Sequence, residues 1–256
     1  MVRKMKEKLK ENYKFILVLL VFGLVGGYFT GLYSVETLSP DMLEQVVQQV
    51  GSIEAVILIT TMQSLLYAMV CGLLGKFLAK KVGLWRETWT LERKPLISAA
   101  VVGAITGCAL ILFDLFWFGN EAEVIRQSYA AKPTLNYIIA SLTYGGVIEE
   151  VMMRLFFMSL IAWVLKLVFA RGQKEVSPAI LITANVIAAL LFAAGHLPAT
   201  VMSIGLNPVI IFRCFLLNGG AGLLFGRLYR KYGIHYAMLG HTLAHVVSKL
   251  IWILFV

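Results

Sequence analysis

Apolar runs recur along the chain near residues 15–33, 53–78, 95–118, 134–168, 179–202, 208–227 and 235–256, separated by short polar connections. Each is long enough, at about 1.5 Å per helical residue, to cross about 30 Å of hydrocarbon. The pattern predicts an all-α fold: a polytopic transmembrane helix bundle of about seven spans. The fourth run is too long for one perpendicular crossing. It tilts, continues past the bilayer as a helix, or breaks at Gly145-Gly146, and a break would make eight spans. Between the first two runs, Leu43, Val46, Val47 and Val50 recur at helical spacing behind Ser39-Pro40-Asp41, which predicts a short amphipathic helix on the membrane surface. Near the end of the fifth run, Pro198 removes a helical hydrogen bond and disfavours helix at Leu197, so a kink or stop is expected beside His196.

Composition agrees with this pattern. The chain of 256 residues is 59% hydrophobic and 14% charged, with a mean hydropathy of +0.82, outside the range of soluble domains. The net charge of +9 invites a nucleic-acid partner, but the distribution of the basic residues argues for a membrane instead. Arg3, Lys4, Lys6, Lys8, Lys10 and Lys14 crowd the N-terminus, and Lys76, Lys80, Lys81, Arg86, Arg93 and Lys94 follow the second run, whereas residues 34–52 hold no Lys or Arg. Connections poorer and richer in Lys and Arg alternate, with Arg126 and Lys132 in the third, and the positive-inside rule then places the N-terminus in the cytoplasm. The first run lacks an A-x-A cleavage site and reads as an uncleaved span. Trp85, Trp89 and Trp117 fall at the ends of runs, as interface anchors do. Cys71, Cys108 and Cys214 stand singly inside apolar runs, so no disulfide or zinc-knuckle spacing is present and they read as small buried hydrophobes.

Charges inside the apolar runs carry the candidate chemistry. Glu149, Glu150 and Arg154 lie in the fourth run, where each charge costs about 2.5 to 3.5 kcal/mol on insertion scales. In a helix Glu150 and Arg154 are one turn apart and can pair, while Glu149 is turned about 100° away and needs another partner. All four histidines fall late in the chain: His196, His235, His241 and His245. His241 and His245 share a helix face, and His235 in the basic turn reads as solvated. Counting about 1.5 Å per residue from the basic side, Glu149 and His196 each lie roughly 25 Å up and His245 roughly 18 Å, so the depths allow one cluster. Asp114, near the far end of the third run, is expected to reach toward the headgroups. Asn185, Asn218 and Lys249 are expected to hydrogen-bond between helices. Gly145, Gly146 and Gly195 are expected to allow close helix approach.

Glu149-Glu150-x-x-x-Arg154, Phe192-x-x-x-His196 and His241-x-x-x-His245 resemble, in order and spacing, the three motifs of the CAAX-protease and bacteriocin-processing (CPBP, or Abi) family of intramembrane endopeptidases. The resemblance covers about residues 134–256. It implies peptide-bond hydrolysis in which Glu149 and His196 activate water and His241 and the second polar residue of the last motif stabilise the oxyanion, with Glu150 and Arg154 fixing the helix. That second position normally carries Asn or Asp, and His245 stands there instead. An imidazole donates only from one tautomer or when protonated. Glu149, His196, His241 and His245 would also form a credible Zn²⁺ ligand set, which leaves a zinc-dependent form open.

The expected organisation is one continuous membrane domain, with the basic N-terminal segment and three scaffold helices over residues 1–133 and the catalytic bundle over 134–256. The expected partners are membrane lipid and a peptide or membrane-protein substrate, with no nucleic acid, in a bacterial or archaeal plasma membrane. Two other readings stay open: an inactive immunity or scaffold protein of the same fold, and an ion-coupled transporter. Against the transporter stand the absence of an internal repeat and of paired broken helices.

Overall fold

The computed structural model describes the backbone of residues 2–256 and side chains from residue 12 onward. The basic residues from Arg3 to Lys10 therefore lie outside the described side chains. Among the described residues the chain is all helix, with no strand. Seven helices are long and apolar enough to cross a membrane: span 1 (Asn12–Thr37), span 2 (Ile53–Lys81), span 3 (Arg93–Glu121), span 4 (Leu135–Phe169), span 5 (Pro178–Ile204), span 6 (Pro208–Tyr232) and span 7 (Ile234–Phe255). Large apolar side chains such as Leu58, Leu66, Phe77, Ile105 and Leu190 stay exposed, as lipid-facing residues do. The chain is an integral membrane protein.

The sequence signals for helix starts act as expected. Ser39 caps the surface helix Pro40–Val50 by accepting from Met42 N at 3.3 Å, and Ser177 and Asn207 cap spans 5 and 6, each with proline in the first turn.

Span 4 is the axis of the bundle, touching spans 1, 2, 5, 6 and 7, while span 3 packs on spans 7 and 6. It does not break at Gly145-Gly146. Instead it runs unbroken for 35 residues and widens into π-helix over Ser141–Glu149 and Val151–Met158. A π turn closes its hydrogen bond over five residues rather than four, so it packs more residues into each turn. Spans 3 and 6 carry shorter π segments, Asp114–Phe118 and Phe215–Gly219.

Two glycines of span 3 allow a close crossing with span 7. A Cβ on Gly103 would lie 2.7 Å from Gly240 O, and one on Gly107 would collide with Ala244 O. Their spacing is the G-x-x-x-G pattern that lets membrane helices approach.

Span 5 continues through Pro198 to Ile204 rather than stopping at Leu197. Membrane helices tolerate proline where side chains compensate nearby. Here Thr200 Oγ1 donates to His196 O at 2.8 Å, two residues beyond the Ala194 carbonyl that Pro198 leaves without its helical donor.

Two further expectations are corrected. Asp114 does not reach the headgroups: it is 1% exposed and pairs with Arg213 of span 6. His235 is half-buried, stacked on Trp89 with ring centroids 5.5 Å apart, rather than solvated.

Candidate active site

A cavity of about 360 Å³ opens inside the bundle, and Glu149, His196, His241 and His245 all line it. They come from spans 4, 5 and 7, so the fold brings together four of the six residues singled out in the sequence. The other two, Glu150 and Arg154, lie behind the wall at 0% and 1% exposure.

Span 4 separates the adjacent glutamates as the helical spacing predicts. Glu150 faces the packed interior, where Arg154 Nη1 stands 3.1 Å from its Oε1. The same oxygen takes His241 Nδ1 at 2.9 Å, so Glu150 is more than the partner of Arg154: it also holds a histidine of span 7. The guanidinium lies over the Phe192 ring at 4.4 Å, and Gly222 of span 6 leaves room for it. Glu149, by contrast, is half-buried, accepts no hydrogen bond from the described residues and faces the cavity.

The histidine contacts constrain which nitrogen can act. His196 Nδ1 lies 2.8 Å from Phe192 O, and a carbonyl only accepts, so Nδ1 carries the proton and Nε2 is left with its lone pair. His241 Nδ1 faces the Glu150 carboxylate in the same way, so a neutral His241 offers Nε2 as an acceptor and a protonated one offers it as a donor. His245 stacks on His241 at 4.9 Å, its Nδ1 buried without a partner. A Cβ on Gly145 would come within 2.7 Å of His245 Nε2, and one on Gly146 would strike Thr242, so both glycines admit span 7. Gly195 does not serve that purpose: nothing lies within 4 Å of its Cβ position. It lines a second, mainly apolar cleft of about 270 Å³ with Met152, Met153 and Leu191, which reaches Glu149 and His196 from between spans 4 and 5.

As for a metal, no three of the His, Cys, Asp or Glu side chains converge as ligands among the described residues. Glu149, His196, His241 and His245 share a cavity without forming a closed coordination shell for zinc.

Tyr144 and Asn218 also line the cavity and were missed as site residues. Tyr144 precedes Glu149 by five residues, a spacing that faces away in an α-helix but aligns in a π-helix. Among the described residues Asn218 bonds to Cys214 Sγ, four residues earlier in its own span, rather than to another helix. Asn185 does join helices as expected, donating to Leu223 O at 3.0 Å. Lys249 joins them differently, with Nζ 3.9 Å from the Tyr137 ring centroid.

No curated protein and no solved structure matched the chain in the comparisons made. Residues 131–247 match the family model described as type II CAAX prenyl endopeptidase Rce1-like, and this stretch contains all six motif residues. The segment 131–247, just under half of the chain, is therefore similar to the Rce1-like, CPBP family of CAAX-type membrane proteases.

Proposed function

We propose that the protein is an intramembrane endopeptidase that hydrolyses a peptide bond of a membrane-associated protein or peptide within the cavity between spans 4, 5 and 7. The observation that carries this reading is the convergence of Glu149, His196, His241 and His245 on one cavity from three separate spans. Water is a poor nucleophile, and a carboxylate facing a low-dielectric cavity is a suitable base for it. Glu149, helped by the His196 Nε2 lone pair, takes a proton as the water oxygen bonds to the scissile carbonyl carbon. The carbonyl π pair moves onto oxygen. Collapse of that intermediate breaks the C–N bond, and the captured proton passes to the leaving amine.

The oxyanion requires donors. His241 serves as one when its Nε2 carries a proton, and the Glu150 carboxylate on Nδ1 then holds the ring in place, much as a carboxylate steadies an imidazolium in other hydrolases. Arg154 holds Glu150 in place for that task. His245 stacks against His241 and completes the wall. The apolar cleft between spans 4 and 5 gives an apolar substrate segment a path from the lipid to Glu149. The alternating basic connections favour a cytoplasmic N-terminus for this enzyme.

The test is cleavage by purified protein of a panel of fluorescence-quenched peptides and membrane-protein substrates, comparing wild type with Glu149→Gln and His196→Ala. General-base catalysis predicts losses of roughly 10²- to 10⁴-fold in kcat. Cleavage that survives both substitutions refutes the assignment. A wild type that binds peptides without cutting them supports the inactive scaffold reading, for which His245 in place of Asn or Asp is the motive. Metal analysis of the same sample separates a glutamate-activated water from a zinc hydroxide: stoichiometric zinc lost in His241→Ala favours the latter.

A further inference from the structure

The donors and acceptors around the cavity do not balance for a reaction that builds negative charge on oxygen. Glu149 accepts when ionised. His196 has committed Nδ1–H to Phe192 O and presents a lone pair. His241 presents a lone pair too unless it gains a proton. His245 has Nδ1 buried without a partner and Nε2 close to Gly145 on the cavity wall. His196 and a neutral His241 thus offer acceptors and His245 alone can carry its proton on Nε2, while the tetrahedral oxygen needs several hydrogen-bond donors aimed at it.

Among the other polar groups on the cavity wall, the Thr30 and Thr106 hydroxyls of spans 1 and 3 are buried without a partner. Ser141 donates to Tyr137 O, and Tyr137 is stacked on Tyr33 and covered by Lys249. Tyr144 shares the span 4 wall with Glu149, the side from which water attacks. Asn218 stands on a different wall, in the π-helical turn Phe215–Gly219 of span 6, which packs against span 5. One of its amide hydrogens points at Cys214 Sγ, 3.5 Å away, and the thiol itself donates to Ala193 O at 3.2 Å. That chain of contacts pins the carboxamide beside the Phe192–His196 turn. Its second N–H has no partner among the described residues. Sulfur is a weak acceptor, so even the bonded hydrogen is easily redirected. A π turn adds a residue to the helix and is frequent at functional sites, and here it sets the position of this amide.

We propose that Asn218 is an oxyanion donor of the hydrolytic site: its carboxamide N–H binds the carbonyl oxygen of the scissile bond opposite Glu149 and strengthens as charge develops there. The inference rests on the hydrolase reading of the cavity, and the experiment separates the two. Steady-state cleavage of the fastest substrate in the peptide panel is compared for wild type, Asn218→Ala, the near-isosteric Asn218→Asp and Cys214→Ala, alongside thermal unfolding of each. Loss of one such donor predicts a fall in kcat of roughly 10²- to 10³-fold for Asn218→Ala and Asn218→Asp, with KM changed little. Cys214→Ala, which only loosens the pin, lowers kcat by less than about tenfold on the same scale. Should Asn218→Ala fail to fold, Asn218→Asp decides alone. A kcat within about threefold of wild type in a folded variant, or a loss confined to KM, overturns the role of Asn218 and leaves the protease reading intact. A wild type that cleaves nothing overturns both.

Discussion

Two buried carboxylates, Asp114 and Glu150, each face an arginine inside the bundle, and the two sites are finished differently. Asp114 is fully satisfied: Arg213 Nε meets one oxygen, and Arg213 Nη2 and the Tyr129 hydroxyl meet the other. Burial, with the Asp114 carboxylate beside it, raises the Tyr129 phenol above its ordinary pKa, so it stays a donor. Around Glu150 the satisfaction is partial. Its Oε1 takes both Arg154 and His241, while Oε2 and both terminal nitrogens of Arg154 are buried without an aligned hydrogen bond. Next to it, Glu149 faces the cavity with no partner among the described residues. A closed cluster ties spans 3 and 6 together, whereas an open one keeps charge available where a reaction needs it. Strain and unmet polarity of this kind concentrate at functional sites.

The comparison can be broken most forcefully at Glu149. Glu149→Gln is expected to lower cleavage by roughly 10²- to 10⁴-fold, about 3 to 5 kcal/mol of transition-state stabilisation, while the unfolding midpoint holds or rises. A parallel loss of stability would mean that Glu149 belongs with the structural carboxylates. Arg154→Ala strands Glu150 in the interior and should cost about 3 to 5 kcal/mol of stability, read by thermal unfolding in detergent, with activity falling as His241 loses its anchor. Asp114→Ala should cost less, no more than about 3 kcal/mol, because the Arg213 side chain is 21% exposed and can turn toward solvent. Cleavage per folded molecule should then equal that of wild type, and a fall in kcat would erase the distinction between the two clusters. The smallest effect is expected at Asn185→Ala, which removes an interhelical bond to Leu223 O and should cost about 0.6 kcal/mol with no kinetic change.

Much of the architecture was legible because hydrophobic runs and helix caps are local. The seven spans, the Ser39-capped surface helix and the Glu150–Arg154 pair follow from spacing alone. The helix crossing at Gly103 and Gly107 also has a local signature, the G-x-x-x-G spacing. The Asp114–Arg213 pair had none: 99 residues separate its members, and either could have been satisfied at the headgroups. His235 shows the same limit, since nothing near it in sequence indicated that Trp89 would cover it.

The sequence by itself determined that span 4 carries three charges, that two are spaced to pair, and that Glu149 is left turned away from them. Only the tertiary structure decided what each one meets. It gave Glu150 to His241 as well as Arg154, set Glu149 on one cavity with three histidines, and widened span 4 so that Tyr144 shares its face. The physical reason is range. Helical periodicity and hydropathy act within a turn or a span, so they show in the sequence. Which polar group fills a buried site depends on how spans pack across the bundle, and burying a charge is tolerated only where that packing supplies its partners.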